Sequence, residues 1–154
     1  MNIEYQASYQ YQAMWAYFDR DDVGLPHIAE HFKKMAKEEL GHAQEFQSYT
    51  TKRGGQVRLL EMAPPEHEFA ATKDKSDAQV AFEKALELEK NVYQQLLLLH
   101  KTAGLQNDPN MEDTVEGYLE EQVSSIKSFA THVSQLDRIG TSGTGVYMFD
   151  HNFE

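Results

Sequence analysis

Cysteine is absent from this chain of 154 residues. That excludes a disulfide framework and a thiolate metal site, so any bound metal must be held by oxygen and imidazole donors. Proline is sparse, and its four residues stand only at positions 26, 64, 65 and 109. Long stretches are therefore free to form helix. Positive charge is also scarce: 14 Lys and Arg against 25 Asp and Glu give a formal charge of -11. Such a balance repels nucleic acid and anionic membranes while concentrating cations, which makes metal ions the natural charged partner. No apolar run approaches the roughly 18 residues of a membrane span, and Met1-Asn2-Ile3-Glu4 lacks the basic and apolar blocks of a signal peptide. A cytoplasmic protein is the expectation. With 40% hydrophobic residues, residues 1–154 are expected to form one domain around one core.

Apolar periodicity predicts four long helices. From about residue 3 to 18, Glu4, Ala7, Tyr11, Met14 and Phe18 recur at steps of three and four and share one face. Pro26 opens a second helix that runs to Arg53, where Gly54 and Gly55 stop it, with an inner stripe of Ile28, Phe32, Met35, Glu39, His42 and Phe46. A third, from Asp77 to Ala103, carries Phe82, Ala85, Glu89, Val92, Leu96 and Leu99, widened by Leu97 and Leu98, and Gly104 is expected to end it. Asn107-Asp108-Pro109 caps a fourth, with Val115, Leu119, Gln122, Ile126, Phe129, Val133 and Leu136 inward and Gly140 closing it. Val146, Tyr147, Phe149 and Phe153 suggest a short docking helix in the tail.

Between the second and third helices lies a segment far longer than an ordinary helix connection. The second helix spans about 40 Å at 1.5 Å per residue, and an extended crossover of this length can run back along all of it. The second and third helices are then parallel. Two short links and one long crossover give an all-α, ferritin-like four-helix bundle with a short C-terminal fifth helix.

Each inner stripe is broken by a polar residue: Glu4 on the first, Glu39 and His42 on the second, Glu89 on the third and Gln122 on the fourth. A buried, isolated carboxylate costs several kcal/mol in lost hydration, so three facing one another need cations or water to neutralise them. The Glu-x-x-His spacing of Glu39 and His42 points a carboxylate and an imidazole the same way, as metal-binding bundles do. Alone, that spacing is common on exposed helices by chance; agreement across four helices changes its weight. Carboxylates with one imidazole and no thiolate suit iron in both oxidation states. Two adjacent ions would have Glu39 between them, Glu4 and His42 on one and Glu89 on the other. Tyr11 lies two turns along the Glu4 stripe, within reach of a site carboxylate.

Once these residues are aligned, the whole chain resembles the ferritins, most of all the animal-type (H-type) subunit with a ferroxidase centre. The resemblance rests on seven segments in family order: Phe18-Asp19-Arg20-Asp21-Asp22-Val23, Glu38-Glu39-x-x-His42-Ala43, Arg53-Gly54-Gly55, Leu88-Glu89-Lys90-Asn91-Val92, Asn107-Asp108-Pro109, Glu121-Gln122-Val123 and Phe149-Asp150. It implies that Glu4, Glu39, His42 and Glu89 ligate a di-iron centre, that Tyr11 and Gln122 support it, and that Glu38 assists iron transfer. It further implies iron storage, with Fe2+ and dioxygen as substrates and ferric mineral held in a hollow homo-oligomeric shell of twenty-four chains. Asp113 and Glu116, with His100 nearby, match the acidic residues of an iron entry channel; by spacing alone they read as a solvated helix face.

Some positions depart from the family pattern. Gly41 and Gln44 stand where catalytic subunits often carry inward glutamates, which implies slow mineral nucleation. Ser125, three after Gln122, replaces the second histidine of symmetric di-iron sites, which implies one iron held more weakly than the other. Two other readings compete: a non-catalytic shell subunit, and a di-iron oxygenase acting on an organic substrate. A haem site would need an inward methionine at a subunit interface, and Met14, Met35 and Met62 read as core or loop residues.

Overall fold

In a computed structural model that describes residues 1–153, the chain is all-helical: α1 Asn2–Phe18, α2 Pro26–Lys52, α3 Asp77–Leu105, α4 Pro109–Ile139 and α5 Gly143–His151. The helix starts follow their capping chemistry. Ser76, Asp108 and Ser142 each accept a hydrogen bond from the backbone N–H three residues on, and Pro26 and Pro109 occupy first-turn positions where no N–H is needed. Gly54 closes α2 with φ +78, a left-handed conformation that costs glycine nothing. At the far end of α3 the expected stop at Gly104 is not where the helix breaks. It continues through Leu105, and Asn107, with φ +52, makes the turn. Asparagine tolerates that region better than most side chains.

α1 packs along α2 and α3 along α4 as two antiparallel hairpins. Residues 53–76 join them, and the way this crossover is held was not foreseen from periodicity. Three polar residues one turn apart on the outer face of α1 grip its backbone. Asn2 donates to the Arg58 carbonyl at 3.2 Å, Gln6 to Ala63 at 3.0 Å and Gln10 to Glu66 at 2.8 Å. Asn2 and Gln10 also accept from the Leu60 and Glu66 N–H groups. Rising positions on both partners show that the crossover travels in the direction of α1 and so opposite to α2, which leaves α2 and α3 parallel. Phe69 is fully buried and meets the Tyr17 ring edge-on at 5.4 Å.

The core forms two clusters. One gathers Tyr11, Phe18, Ile28, Phe32, Phe69, Phe82, Phe129 and Leu136; the other gathers Ala7, Phe46, Val92, Leu96 and Val115. Leu97 and Leu98, expected to widen the inner surface of α3, are 38% and 57% exposed. They follow Leu96 by one and two residues, which turns them some 100° and 200° off its stripe. No helix among the described residues is long and apolar enough to cross a membrane.

Candidate metal centre

Between the two apolar clusters lies a polar layer. On α2, Glu39 and His42 fall between Ala36 of one cluster and Phe46 of the other; Glu89 on α3 falls between Ala85 and Val92; Gln122 on α4 falls between Phe129 and Val115. Helical spacing brings these positions, with Glu4 of α1, to one level of the bundle. Glu4 and Glu89 are 1% exposed, Glu39 2% and Gln122 6%.

Glu4, Glu39 and His42 each offer a ligand atom within 4.8 Å of the others. His42 Nδ1 lies 3.4 Å from Glu39 Oε2, and its Nε2 lies 3.4 Å from Glu121 Oε2. Glu89 stands outside that trio and is aimed by two donors. The Tyr11 hydroxyl donates to Glu89 Oε1, and Gln122 Nε2 donates to Glu89 Oε2 and, at 3.1 Å, to the Glu89 carbonyl. Tyr11 is itself fully buried and stacked on Phe32 and Phe129, so its O–H has a fixed direction.

Burial dominates the electrostatics of this layer. Burial raises the Glu4 carboxyl well above the carboxylate range, and neighbouring Glu39 raises it further. Burial also lifts Glu89 to about 7, against the opposing hydrogen bond from Tyr11, while the bond to Glu39 lifts His42 to about 9. A buried carboxylate set of this kind is neutralised either by protons or by cations. No N–H or O–H of the fold donates to the buried Glu4 Oε2, and the carboxyl beside it is that of Glu39, so a ligand atom is left over for an electrophile. Carboxylates with one imidazole form a donor set suited to iron, and the residues present fit it.

The other expected site residues are scattered. Glu38 is exposed and lines a groove of about 530 Å³ between α2 and α4, together with Met35, Glu120, Glu121 and Ser125. Asp113 and Glu116 are exposed, and His100 Nε2 lies 3.2 Å from Glu116 Oε1, while Asp113 joins neither. Tyr118 was not named from sequence, and Glu121 was named only within the segment Glu121-Gln122-Val123, with no role at the site. Glu121 reaches His42 from outside the α4 stripe. The Tyr118 ring lies 5.3 Å from the His42 ring, and its hydroxyl donates to Glu45 at 2.5 Å. Glu121 lies off the inner stripe, so periodicity gave no signal for it; Tyr118, three after Val115 and four before Gln122, packs against the second cluster, and periodicity takes its neighbour Leu119 for the stripe instead.

Residues 1–139 match the family described as Ferritin-like domain. The chain belongs to the ferritin family. It is 45% identical over 151 residues to ferritin-3, chloroplastic, of Glycine max, and 46% identical over 151 residues to ferritin-2, chloroplastic, of Nicotiana tabacum. Each alignment covers 97% of this chain and 58% of the relative, so the chain spans less than two thirds of those ferritins. Superposition on a crystal structure of ferritin from the multicellular green alga Ulva pertusa gives a TM-score of 0.94 at 47% identity, covering 99% of this chain and 77% of that one. The ferritin-like bundle with its crossover and short fifth helix is thereby shown. These relatives are plant and algal ferritins, so membership is established for ferritin and not for the animal type. The cytoplasmic expectation is corrected: ferritins of such similarity from soybean and tobacco are named chloroplastic. A negative charge and an unremarkable first four residues carry no information about compartment.

Proposed function

We propose that this chain is an iron-storage ferritin subunit with ferroxidase activity, acting as one domain over residues 1–154 in the plastid. The observation that carries the reading is the buried trio of Glu4, Glu39 and His42, faced by a Glu89 whose two oxygens are held by Tyr11 and Gln122.

Two Fe(II) ions are the substrates. Glu4 and His42 hold one, Glu89 holds the other, and Glu39 lies between them. Each ion gives one electron to dioxygen, which takes up two protons from water and leaves as hydrogen peroxide. The chain's part is to collect the ions, hold them adjacent and keep the ferric state favoured. Burial favours the protonated forms of Glu4 and Glu89, so binding competes with protons there, and the cations offset the cost of burying the carboxylate charge. The Tyr11 O–H keeps Glu89 turned toward the site, and Gln122 fixes its second oxygen. Glu38, which lines the groove beside the site, assists iron transfer, and the catalytic set is that of an H-type subunit.

Storage requires a shell. On the isolated chain Leu59, Leu60, Leu98, Leu105 and Met148 are between 57% and 72% exposed. Large apolar side chains in that state suit burial between subunits, here a closed homo-oligomer of twenty-four chains. Asp113, Glu116 and His100 would line its iron entrance. A decisive test loads the assembled protein aerobically with Fe(II) and follows ferric absorbance together with iron retained after gel filtration. Rapid oxidation with retained iron supports the reading. Oxidation no faster than in buffer would leave a passive shell, and oxidation without retention would favour an oxygenase.

A further inference from the structure

A second group of metal-binding side chains lies away from the carboxylate centre, where α5 meets the start of α2. His27, Asp150 and His151 each present a ligand atom within 4.8 Å of the other two. His27 is more than 120 residues from the adjacent pair Asp150 and His151, so their meeting depends on how α5 is docked. Asp150 is 1% exposed, and it is pinned. Its Oδ1 accepts from the His27 N–H at 3.1 Å and the Ile28 N–H at 2.8 Å, capping α2, which has no side-chain cap of its own. Oδ2 accepts no hydrogen bond among the described residues. The buried carboxylate thus has Oδ1 spent on structure, and one of its oxygens lies within 4.8 Å of a ring nitrogen of each histidine. Those rings stand 5.4 Å apart, centre to centre, and both histidines are exposed.

We infer that His27, Asp150 and His151 form a divalent transition-metal site that clamps α5 onto the start of α2. Two imidazoles and a carboxylate are three of the four ligands of a tetrahedral zinc-type site, with water completing it. Ligand atoms around such an ion stand about 3.4 Å apart, so the three, all within 4.8 Å of one another, must close by no more than about 1.4 Å. Rotation of the two exposed imidazoles supplies that movement, and Asp150 stays in place. The positive end of α2 would repel a bare cation. Here the Asp150 carboxylate stands between, taking up the α2 N–H groups on Oδ1, so the ion meets an anion and not the bare helix end. Imidazole-rich donors bind Zn2+, Ni2+ and Cu2+ more tightly than Fe2+, which separates this site from the iron chemistry of the bundle. The Tyr147 hydroxyl, 3.4 Å from His151 Nε2, is the competing partner that binding would displace unless Nδ1 ligates.

Its occupancy would be felt through α5. Only Val146 and Asp150 of that helix are buried, so α5 is held by few side chains, and a metal linking His151 to His27 ties its last turn to α2. The test uses the assembled, metal-free protein carrying Glu39→Ala and His42→Ala, so that the bundle centre does not count. Zn2+ is titrated in competition with a chromophoric chelator, Co2+ is added separately to read coordination by its visible spectrum, and hydrogen exchange reports on α5. Addition of His27→Ala and His151→Ala, two exposed truncations, is expected to remove one bound Zn2+ per chain and the four-coordinate Co2+ absorbance. Zn2+ is also expected to slow exchange of the α5 amides only while both histidines are present. An unchanged stoichiometry and Co2+ spectrum would overturn the site. Loss of one ion without any Zn2+ effect on α5 exchange would overturn the clamp.

Discussion

Lowering the pH should loosen the α5 end of the bundle through His31. Its ring stacks on Phe82 at 5.8 Å, meets Phe129 and Phe153 edge-on at 5.7 and 4.6 Å, and lies 6.2 Å from His132. Its Nε2 is buried without a hydrogen-bond partner, as is His132 Nδ1. Burial, with smaller repulsion from His132 and Lys34, lowers the His31 pKa from an ordinary 6.5 to about 4. The group is held neutral in the fold, so the unfolded chain takes up its proton first as pH falls. Stability from neutral His31 is whole above pH 6.5 and is lost on the way down to about pH 4. A shift of this size amounts to about 3 kcal/mol at 1.36 kcal/mol per unit. Burial lowers His132 in the same direction and adds to the effect. The assay is urea unfolding followed by circular dichroism at pH 7.5 and pH 4, comparing wild type with His31→Phe, whose ring suits the aromatic cluster. The carboxylates titrate alike in both proteins and cancel in the comparison. The variant should lose about 3 kcal/mol less between the two pH values. An equal pH dependence in both would refute the linkage.

Other perturbations reach different parts of the account. Phe69→Ala, which empties the buried anchor of the crossover, should cost about 3–5 kcal/mol in urea unfolding; a cost below about 1 kcal/mol would mean that the Asn2, Gln6 and Gln10 bonds hold the crossover by themselves. Tyr11→Phe keeps the stacking and removes the hydroxyl that aims Glu89. Initial Fe(II) oxidation should slow by about tenfold, the worth of one hydrogen bond to a charged group, with little change in thermal stability, and an unaltered rate would remove Tyr11 from any role at the site. Asp150→Ala should cost about 3 kcal/mol through two lost charge-assisted bonds to the start of α2. Its effect should appear first as faster hydrogen exchange in α5; exchange spread evenly over all five helices would contradict that order.

Periodicity sufficed for the four long helices because each buries one stripe for its whole length, and proline, glycine and capping residues mark most of their ends. It misjudged Gly104, since a glycine near a helix end does not itself supply the turn, and here Asn107 does. Leu97 and Leu98 were misplaced for a different reason. Four leucines in a row exceed the width of one inner stripe, and composition cannot say which of them face outward. At the centre, Glu4, Glu39, His42, Glu89 and Gln122 were visible as polar breaks in apolar stripes. Glu121 was hidden, because it reaches His42 from the flank of α4, and the His27, Asp150 and His151 group was hidden because only the docking of α5 brings it together. Compartment lay beyond physical reading altogether.

Aerobic oxidation at about two Fe(II) per chain, comparing wild type with Glu39→Ala and His42→Ala, tests the central claim most directly. The account predicts rapid ferric absorbance in wild type and its loss in both variants, with their shells still assembled. Equal rates in all three proteins would contradict a ferroxidase centre at this polar layer.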